Sequence, residues 1–165
     1  MGLTLPGQLE TLLNDLGFTW PEIDEERLLS LGHSWSAYGS RLQQISRDAQ
    51  SAAEEVWSGN SGPAVERFKS RWEHEESPAR VLSDGATAAH ALGAVLMVCA
   101  AVVLALKVNV IVQLSILLAE IIEAVATAAV TFGASLLEIP VFKEIQQRIV
   151  NAIINEAINT ILGAT

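Results

Sequence analysis

Leucines spaced three and four residues apart open the chain and predict a short amphipathic helix. The segment runs from Leu5-Pro6 to Gly17, and its apolar positions are Leu9, Leu12, Leu13 and Leu16. This spacing places side chains on one face of an α-helix, and a glycine directly after it is a typical stop. Trp20-Pro21 then interrupts the pattern, because proline disfavours helix at the residue before it. Residues 1–23 are therefore predicted to form a short N-terminal helix and a linker.

A longer three-four pattern begins after Asp24, the expected N-cap, and continues without a break to Val56. Its positions are Leu28, Leu31, Trp35, Tyr38, Leu42, Ile45, Ala49, Ala52 and Val56. A helix of this length spans about 50 Å at 1.5 Å per residue. An a/d seam sustained over about four heptads requires a partner helix, since propensity alone does not stabilise so long a helix.

The segment from Trp57 to Pro63 contains two glycines and predicts a turn. The three-four spacing resumes beyond it at Val65, Phe68 and Trp72. Because the connection is short, residues 24–76 are predicted to form an antiparallel helical hairpin. The following Ser77-Pro78 fits either a kink or a new helix start with proline at its first position.

Residues 77–165 are predicted to form further apolar helices of the same domain. Ala91 to Leu106 contains no charged residue, whereas a polar stripe returns from Asn109 to Glu138 if that segment is one continuous helix. Pro140 is expected to break it, and Val141 to Leu162 reads as a last amphipathic helix. No strand-like alternation competes, so the predicted fold class is all-α: a helical hairpin extended by long apolar helices into a helical bundle.

Composition narrows the function classes. Half of the 165 residues are hydrophobic, only 18% are charged, and the net charge is −9. Phosphate binding needs a lysine and arginine footprint, so this balance argues against nucleic acid. Cys99 lies in an apolar run and is expected to be a small buried hydrophobe. Since the N-terminus has no basic segment followed by an apolar one, export is expected to use a route other than a classical signal peptide.

Catalytic chemistry is not indicated. The histidines are His33, His74 and His90, and only His74 lies among acidic residues. A zinc-protease motif needs a second histidine four residues on, where Pro78 stands. The glycines form no phosphate-binding loop. We therefore expect no enzyme activity, no cofactor and no metal.

The Trp57-x-Gly59 tripeptide, between two long amphipathic segments, is the most informative local feature. A tryptophan there can anchor a neighbouring protein helix, or it can seal its own hairpin, and the two readings carry equal weight. The predicted partner-binding residues are Trp57, Gly59, Trp35, Leu42, Ile45, Phe68 and Trp72.

Together with Leu5-Pro6, Leu16-Gly17, Trp20-Pro21 and Asp24-Glu25, this hairpin resembles the WXG superfamily. Specifically, it resembles the WXG-like N-terminal domain of actinobacterial type VII (ESX) secreted polymorphic toxins of the CpnT-like kind. The resemblance spans roughly residues 1–76 by motif. It implies a helical secretion-targeting module that binds a WXG-like helical protein or itself, and then the type VII secretion machinery. It also implies a cytoplasmic location before export, and a secreted or cell-surface location afterwards.

One departure from the family pattern concerns the export signal. Many WXG substrate pairs carry Tyr-x-x-x-Asp/Glu after the hairpin, whereas here Tyr38 is followed four residues later by Leu42. A partner is then expected to supply the signal, or a divergent signal is used. The alternative function is a membrane-active or pore-forming element using residues 91–137, although Ala91 to Leu106 is somewhat shorter than a bilayer span and Lys107 interrupts it.

Overall fold

The structure is a computed structural model that describes residues 2–163, and the regular elements in that range are all helical. They are α1 (Gly7–Asp15), α2 (Glu25–Gly59), α3 (Pro63–Trp72), α4 (Pro78–Thr127), a 3-10 helix (Ala134–Glu138) and α5 (Ile139–Gly163). The predicted all-α class, a hairpin extended by long apolar helices, is confirmed. Met1, Ala164 and Thr165, at the ends of the predicted segments, lie outside the described residues.

The chain divides into two compact units. The central unit is Leu29–Met97, and the terminal unit combines Met1–Leu28 with Val98–Thr165. Helices α2 and α4 each contribute residues to both units. The organisation into segments 1–23, 24–76 and 77–165 stays a prediction.

Polar caps explain two of the helix starts. The carboxylate of Asp24 accepts a hydrogen bond from the Arg27 backbone N–H at 3.0 Å, so Asp24 is the N-cap of α2 as the sequence predicts. The Ser77 hydroxyl accepts from the Arg80 N–H at 3.3 Å. Ser77-Pro78 is therefore a helix start with proline at its first position, and not a kink.

The break after α4 lies earlier than the sequence predicts. Helix α4 ends at Thr127, and Pro140 stands in the first turn of α5. Proline is tolerated there because a backbone N–H in the first turn would have no acceptor within the helix. The chain instead turns at Phe132 and Gly133, whose φ angles are 51° and 83°. The condition for a polar stripe from Asn109 to Glu138, one continuous helix, therefore holds only as far as Thr127.

In the central unit, α2 and α4 approach each other so closely that glycine is required. A Cβ atom added to Gly32 would lie 2.9 Å from the Gly93 carbonyl oxygen, and one added to Gly93 would lie 2.8 Å from the Gly32 oxygen. Further along, a Cβ on Gly39 would meet the Ala86 oxygen at 2.9 Å. Residue numbers fall on one helix as they rise on the other, so the pair is antiparallel.

The stripe of α2 that faces α4 differs from the predicted seam. Small residues recur every seventh position on it: Gly32, Gly39 and Ser46. The Ser46 hydroxyl donates to the Ala79 carbonyl oxygen at 3.0 Å. None of the predicted seam positions lies on this stripe. Four of them are half-buried, and the other five are exposed, namely Leu31, Tyr38, Ile45, Ala52 and Val56. A pattern made only of apolar residues does not include glycine and serine, although these small residues let two helix backbones approach closely.

The returning arm is much shorter than α2, although it includes the whole pattern of Val65, Phe68 and Trp72. Helix α3 has ten residues and ends at Trp72. In the central unit, α4 therefore provides the contacts along α2 from Gly32 to Ser46.

The terminal unit has a conventional apolar core. Its buried members are Leu9 and Leu13 of α1, Leu16 directly after α1, Val110, Leu114 and Leu117 of α4, and Val150 of α5. The leucine pattern of α1 is thus confirmed. At its edge, Lys143 pairs with Asp15 at 3.0 Å, which ties α5 to the end of α1.

We predict that Gly93→Ala lowers the melting temperature while Gly85→Ala raises it. Both replacements gain helix propensity, by up to about 1 kcal/mol. At Gly93 the new methyl group meets a backbone oxygen, and overpacking of this kind typically costs 1–3 kcal/mol. At Gly85 the nearest atom, Leu42 Cδ1, lies at an ordinary 3.7 Å. Thermal unfolding followed by circular dichroism measures both, and a rise for Gly93→Ala equal to that for Gly85→Ala would contradict the close approach.

Candidate interaction surfaces

An exposed apolar line runs along α2 in the central unit. Leu31, Tyr38 and Ile45 follow one another at seven-residue spacing, and 47%, 50% and 52% of their surfaces are exposed. The half-buried Trp35 ring meets Tyr38 edge to face, with ring centroids 5.9 Å apart. We call Leu31, Tyr38 and Ile45 the α2 line; its spacing suits a second helix packed alongside.

The hairpin end of the central unit carries an aromatic ladder of Trp57, Phe68 and Trp72. Ring centroids are 5.9 Å apart between Trp57 and Phe68, and 5.8 Å apart between Phe68 and Trp72. The Trp72 indole N–H donates to the Gln50 side-chain oxygen at 2.8 Å. The ammonium of Lys69 lies 5.9 Å from the Trp57 ring centroid. These contacts tie the last turns of α2 to α3.

The glycine of the Trp57-x-Gly59 tripeptide does not form the turn. Gly59 is the last residue of α2, whereas Gly62, with φ at 121°, takes the conformation that glycine favours. Trp57 is likewise helical and half-buried. The predicted turn over Trp57 to Pro63 therefore narrows to residues 60–62.

The seven predicted partner-binding residues separate into three places. Trp57, Phe68 and Trp72 come together in the aromatic ladder, and the exposed Gly59 closes α2 beside them. Trp35 and Leu42 are half-buried along α2, and Ile45 belongs to the α2 line. Their role in partner binding stays a prediction.

The histidines form no catalytic constellation. His90 Nδ1 lies 3.4 Å from the Ser36 hydroxyl, His74 Nδ1 accepts from the Glu76 N–H, and His33 is exposed. Across residues 2–163, no group of three or more His, Cys, Asp or Glu side chains is placed to hold a metal ion. Cys99 is a half-buried free thiol.

A buried ion pair joins the N-terminal segment to α4 in the terminal unit. Lys107 Nζ lies 2.7 Å from Glu25 Oε2 and donates to the Ile23 carbonyl oxygen at 2.6 Å. The Trp20 ring centroid is 5.7 Å from the same nitrogen, and the Leu3 N–H donates to the second carboxylate oxygen of Glu25. Only 2% of Lys107 and 6% of Glu25 are exposed.

The surroundings of Glu25 set its protonation. Burial raises the pKa of this carboxyl, but the hydrogen bonds from Lys107 and from the Leu3 N–H outweigh burial and lower the pKa to about 2. Sequence reasoning missed this pair. The available signal was Lys107 itself, the only Asp, Glu, Lys or Arg between Asp84 and Glu120. A charge on an otherwise apolar helix calls for a partner.

Helix α4 is apolar well beyond what the fold buries. Its buried positions form one three-four stripe: Ala79, Ala86, Ala89, Gly93, Ala100, Val103, Lys107, Val110, Leu114, Leu117 and Ala124. Residues off this stripe, such as Leu104, Val108 and Val112, are 45–48% exposed. By length and composition α4 could cross a membrane, with a mean hydropathy of 2.7 in a window of which 22% is buried.

Comparison with known proteins identifies the family. The family model described as "WXG100 like domain" matches residues 7–149, which is most of the chain, and the chain belongs to this family. It is thereby a helical protein related to type VII secretion, in a family that is non-enzymatic and typically forms helical homo- or hetero-oligomers. No curated protein and no solved structure matches the chain.

We predict that Glu25→Gln destabilises the protein near neutral pH, and that this difference shrinks in acid. Removing one partner of a buried pair typically costs about 3–5 kcal/mol, because Lys107 stays buried without its counter-charge. The folded pKa of Glu25 is depressed, so its contribution is complete above the ordinary value of 4.5 and is lost as the pH falls towards about 2. Denaturant unfolding of both proteins across that range measures the difference.

The matched control replaces both partners with apolar residues, as Glu25→Leu with Lys107→Met. This double variant should recover most of the neutral-pH stability, since an apolar pair of similar volume often substitutes for a buried ion pair. A difference between wild type and Glu25→Gln that stays constant from pH 5 to pH 2 would show that Glu25 is not the titrating group.

Proposed function

We propose that this member of the WXG100-like family is a non-enzymatic secretion-targeting and partner-binding module of a type VII secretion substrate. In this proposal the chain leaves the cytoplasm in association with a WXG-like helical partner. Family membership supports the secretion context. The α2 line is the observation that carries the partner-binding role, because it leaves Leu31, Tyr38 and Ile45 exposed at heptad spacing.

The proposed partner is a second amphipathic helix or helical hairpin, from a WXG-like protein or from another copy of this chain. Such a helix would cover the exposed side chains of the α2 line and the half-buried residues beside it, Trp35 and Leu42. Helix α4 already covers the small-residue stripe from Gly32 to Ser46, so the line is the side of α2 that remains for a second helix. The aromatic ladder could extend this contact at the hairpin end.

The proposed setting is the head of an actinobacterial polymorphic toxin of the ESX type. The module would be cytoplasmic before export, and secreted or at the cell surface afterwards. Since Leu42 stands where a Tyr38-based export motif needs an acid, the partner would contribute the export signal.

A membrane-active or pore-forming element using residues 91–137 is the second candidate function. The observation that favours it is the apolar composition of α4, with 22% of its most apolar window buried. Lys107 weighs against it, because a lysine at the centre of a bilayer costs about 2.5–3.5 kcal/mol and would have to leave Glu25. Release of a dye trapped in lipid vesicles would be its signature.

We predict that Tyr38→Asp combined with Ile45→Asp abolishes association without unfolding the protein. A charge placed at the centre of a helix–helix contact is desolvated there, whereas on the free chain both positions face water. Wild type should elute above its monomer mass of 17.7 kDa, alone or with a co-expressed WXG-like protein. The measurement is light scattering after gel filtration. Val81→Asp, at a 61% exposed position of α4 in the same unit, is the matched control. A monodisperse wild-type monomer that also fails to bind the co-expressed WXG-like protein would refute the proposal.

We predict that Trp57→Ala weakens partner association about thirtyfold or more, as truncation of interface tryptophans commonly does. Its melting temperature should also fall, because the contact with Phe68 is lost. Gly62→Val separates the two effects: it strains the turn at φ 121° and should lower the melting temperature while sparing affinity. Unchanged affinity of Trp57→Ala, with a lower melting temperature, would leave Trp57 as a hairpin seal only.

A further inference from the structure

The turn between α4 and α5 is the most exposed apolar part of the terminal unit. Residues 124–137 contain no charged side chain. Val130, Phe132 and Leu137 are 82%, 100% and 77% exposed. We call residues 124–137 the apolar tip. Exposed apolar groups are common on protein surfaces, but a cluster without any charge marks an interaction site.

The three hydroxyl groups of the tip bond to backbone carbonyl oxygens of nearby residues, two of them at exposed positions and one, Ser135, at a buried position. Thr127 donates to the Glu123 carbonyl oxygen at 2.9 Å, and Thr131 donates to the Thr127 oxygen at 3.1 Å. Ser135 donates to the Ala124 oxygen at 2.7 Å and is buried. Several backbone groups of the turn are also bonded within it: the Gly133 N–H donates to the Ala128 oxygen at 2.8 Å, and the Val130 N–H donates to the Thr127 oxygen at 3.0 Å. A segment whose polar groups bond internally can enter an apolar medium at low cost.

No packing contact within the chain offsets the backbone strain at Phe132. Its φ of 51° is unfavourable for an aromatic residue, and its fully exposed side chain gains no packing to offset that strain. Strained residues of this kind are typically found where they serve function. The turn therefore presents Phe132 outward although the fold does not require an aromatic residue there.

We propose that the apolar tip is a shallow membrane anchor, which inserts Val130, Phe132 and Leu137 into the interfacial layer of a lipid bilayer. Glu123 and Glu138 flank the tip and limit its depth. Four residues of helix beyond Glu123 extend about 6 Å, and the turn adds to this, which matches the 5–10 Å of interfacial anchors. The net charge of −9 favours bilayers of uncharged headgroups, such as phosphatidylcholine.

This anchor is independent of the partner-binding role and differs from the membrane-spanning alternative. The α2 line belongs to the central unit, whereas the tip belongs to the terminal unit. Insertion of the tip leaves the Lys107–Glu25 pair and the apolar core around Leu114 intact. A spanning α4 would disrupt both.

Flotation of the full chain with phosphatidylcholine vesicles tests the proposal. Phe132→Asp should reduce the vesicle-bound fraction about tenfold or more, because the burial of one phenylalanine side chain is lost and a charge is added. The side chain makes no packing contacts, so helicity and melting temperature should stay at wild-type values. Val81→Asp, a charge at an exposed apolar position of the central unit, is the matched control and should float like wild type. Absence of wild-type flotation, or equal losses for both variants, would overturn the anchor.

A polarity-sensitive dye determines what is inserted. In a Cys99→Ala background, the dye is attached at Phe132→Cys or, separately, at Val108→Cys on the exposed side of α4. The anchor predicts a blue shift with vesicles at position 132 alone, which weakens when anionic lipid is added. Blue shifts at both positions would show that α4 inserts. A shift at position 132 that grows with protein concentration, and needs no vesicles, would show that a second copy covers the tip. Either of these two results would overturn the proposal.

Discussion

Helix α4 sets the constraint on which the rest of the structure depends. It runs for fifty residues from Pro78 to Thr127, and Ala91 to Leu106 in its middle contains no charged residue. Neighbouring helices cover one three-four stripe of α4, and most of its remaining apolar surface stays exposed. The N-terminal segment, α2 and α5 each make contacts that serve this one stripe, and the exposed remainder defines the candidate surfaces.

The two units cover the stripe by different physical means. In the central unit, small residues on both helices allow close approach, so backbone oxygens and the side chains of Met97 and His90 lie directly against the glycines of α2. In the terminal unit, leucine and valine side chains fill the space around Leu114 in the ordinary way. The position equivalent to the small residues there is Lys107, seven residues beyond Ala100, and its ammonium group reaches Glu25. A single heptad position thus holds small residues along one part of α4 and a buried charge along another.

These differences explain how far the sequence could be interpreted. The leucines of α1, the cap at Asp24 and the turn between α2 and α3 follow from local patterns, because spacing and capping act within a few residues. The stripe through Gly32 and Gly39 could not be found by looking for apolar residues, since the contact depends on missing side chains. The end of α4 at Thr127 was missed for another reason. Pro140 is the stronger breaking signal in the sequence, but the turn formed at Phe132-Gly133. The Lys107–Glu25 pair joins residues 82 positions apart, which no local pattern encodes.

Surface composition connects this architecture to function. Only 18% of the residues are charged, and few of them lie on α4, so the exposed side chains from Leu104 to Val125 have little polar cover. The α2 line and the apolar tip are both uncharged, but they differ in geometry. The α2 line has heptad spacing, which suits contact with a second helix. The apolar tip is a turn whose hydroxyls bond to nearby backbone carbonyl oxygens, which suits a medium that offers no hydrogen bonds.

The cost of moving Lys107 into a bilayer distinguishes a membrane-spanning α4 from a shallow contact through the apolar tip. Placing it at the centre of a bilayer would cost about 2.5–3.5 kcal/mol on insertion scales, in addition to the loss of its pair with Glu25. That pair holds Leu3, Trp20 and Ile23 against α4. As long as that pair persists, Lys107 stays buried against the N-terminal segment, and the charge-free residues 124–137 lie seventeen or more positions further along the chain. A spanning α4 would have to break the Lys107–Glu25 pair, whereas the shallow contact proposed for Phe132 and its neighbours would leave that pair in place.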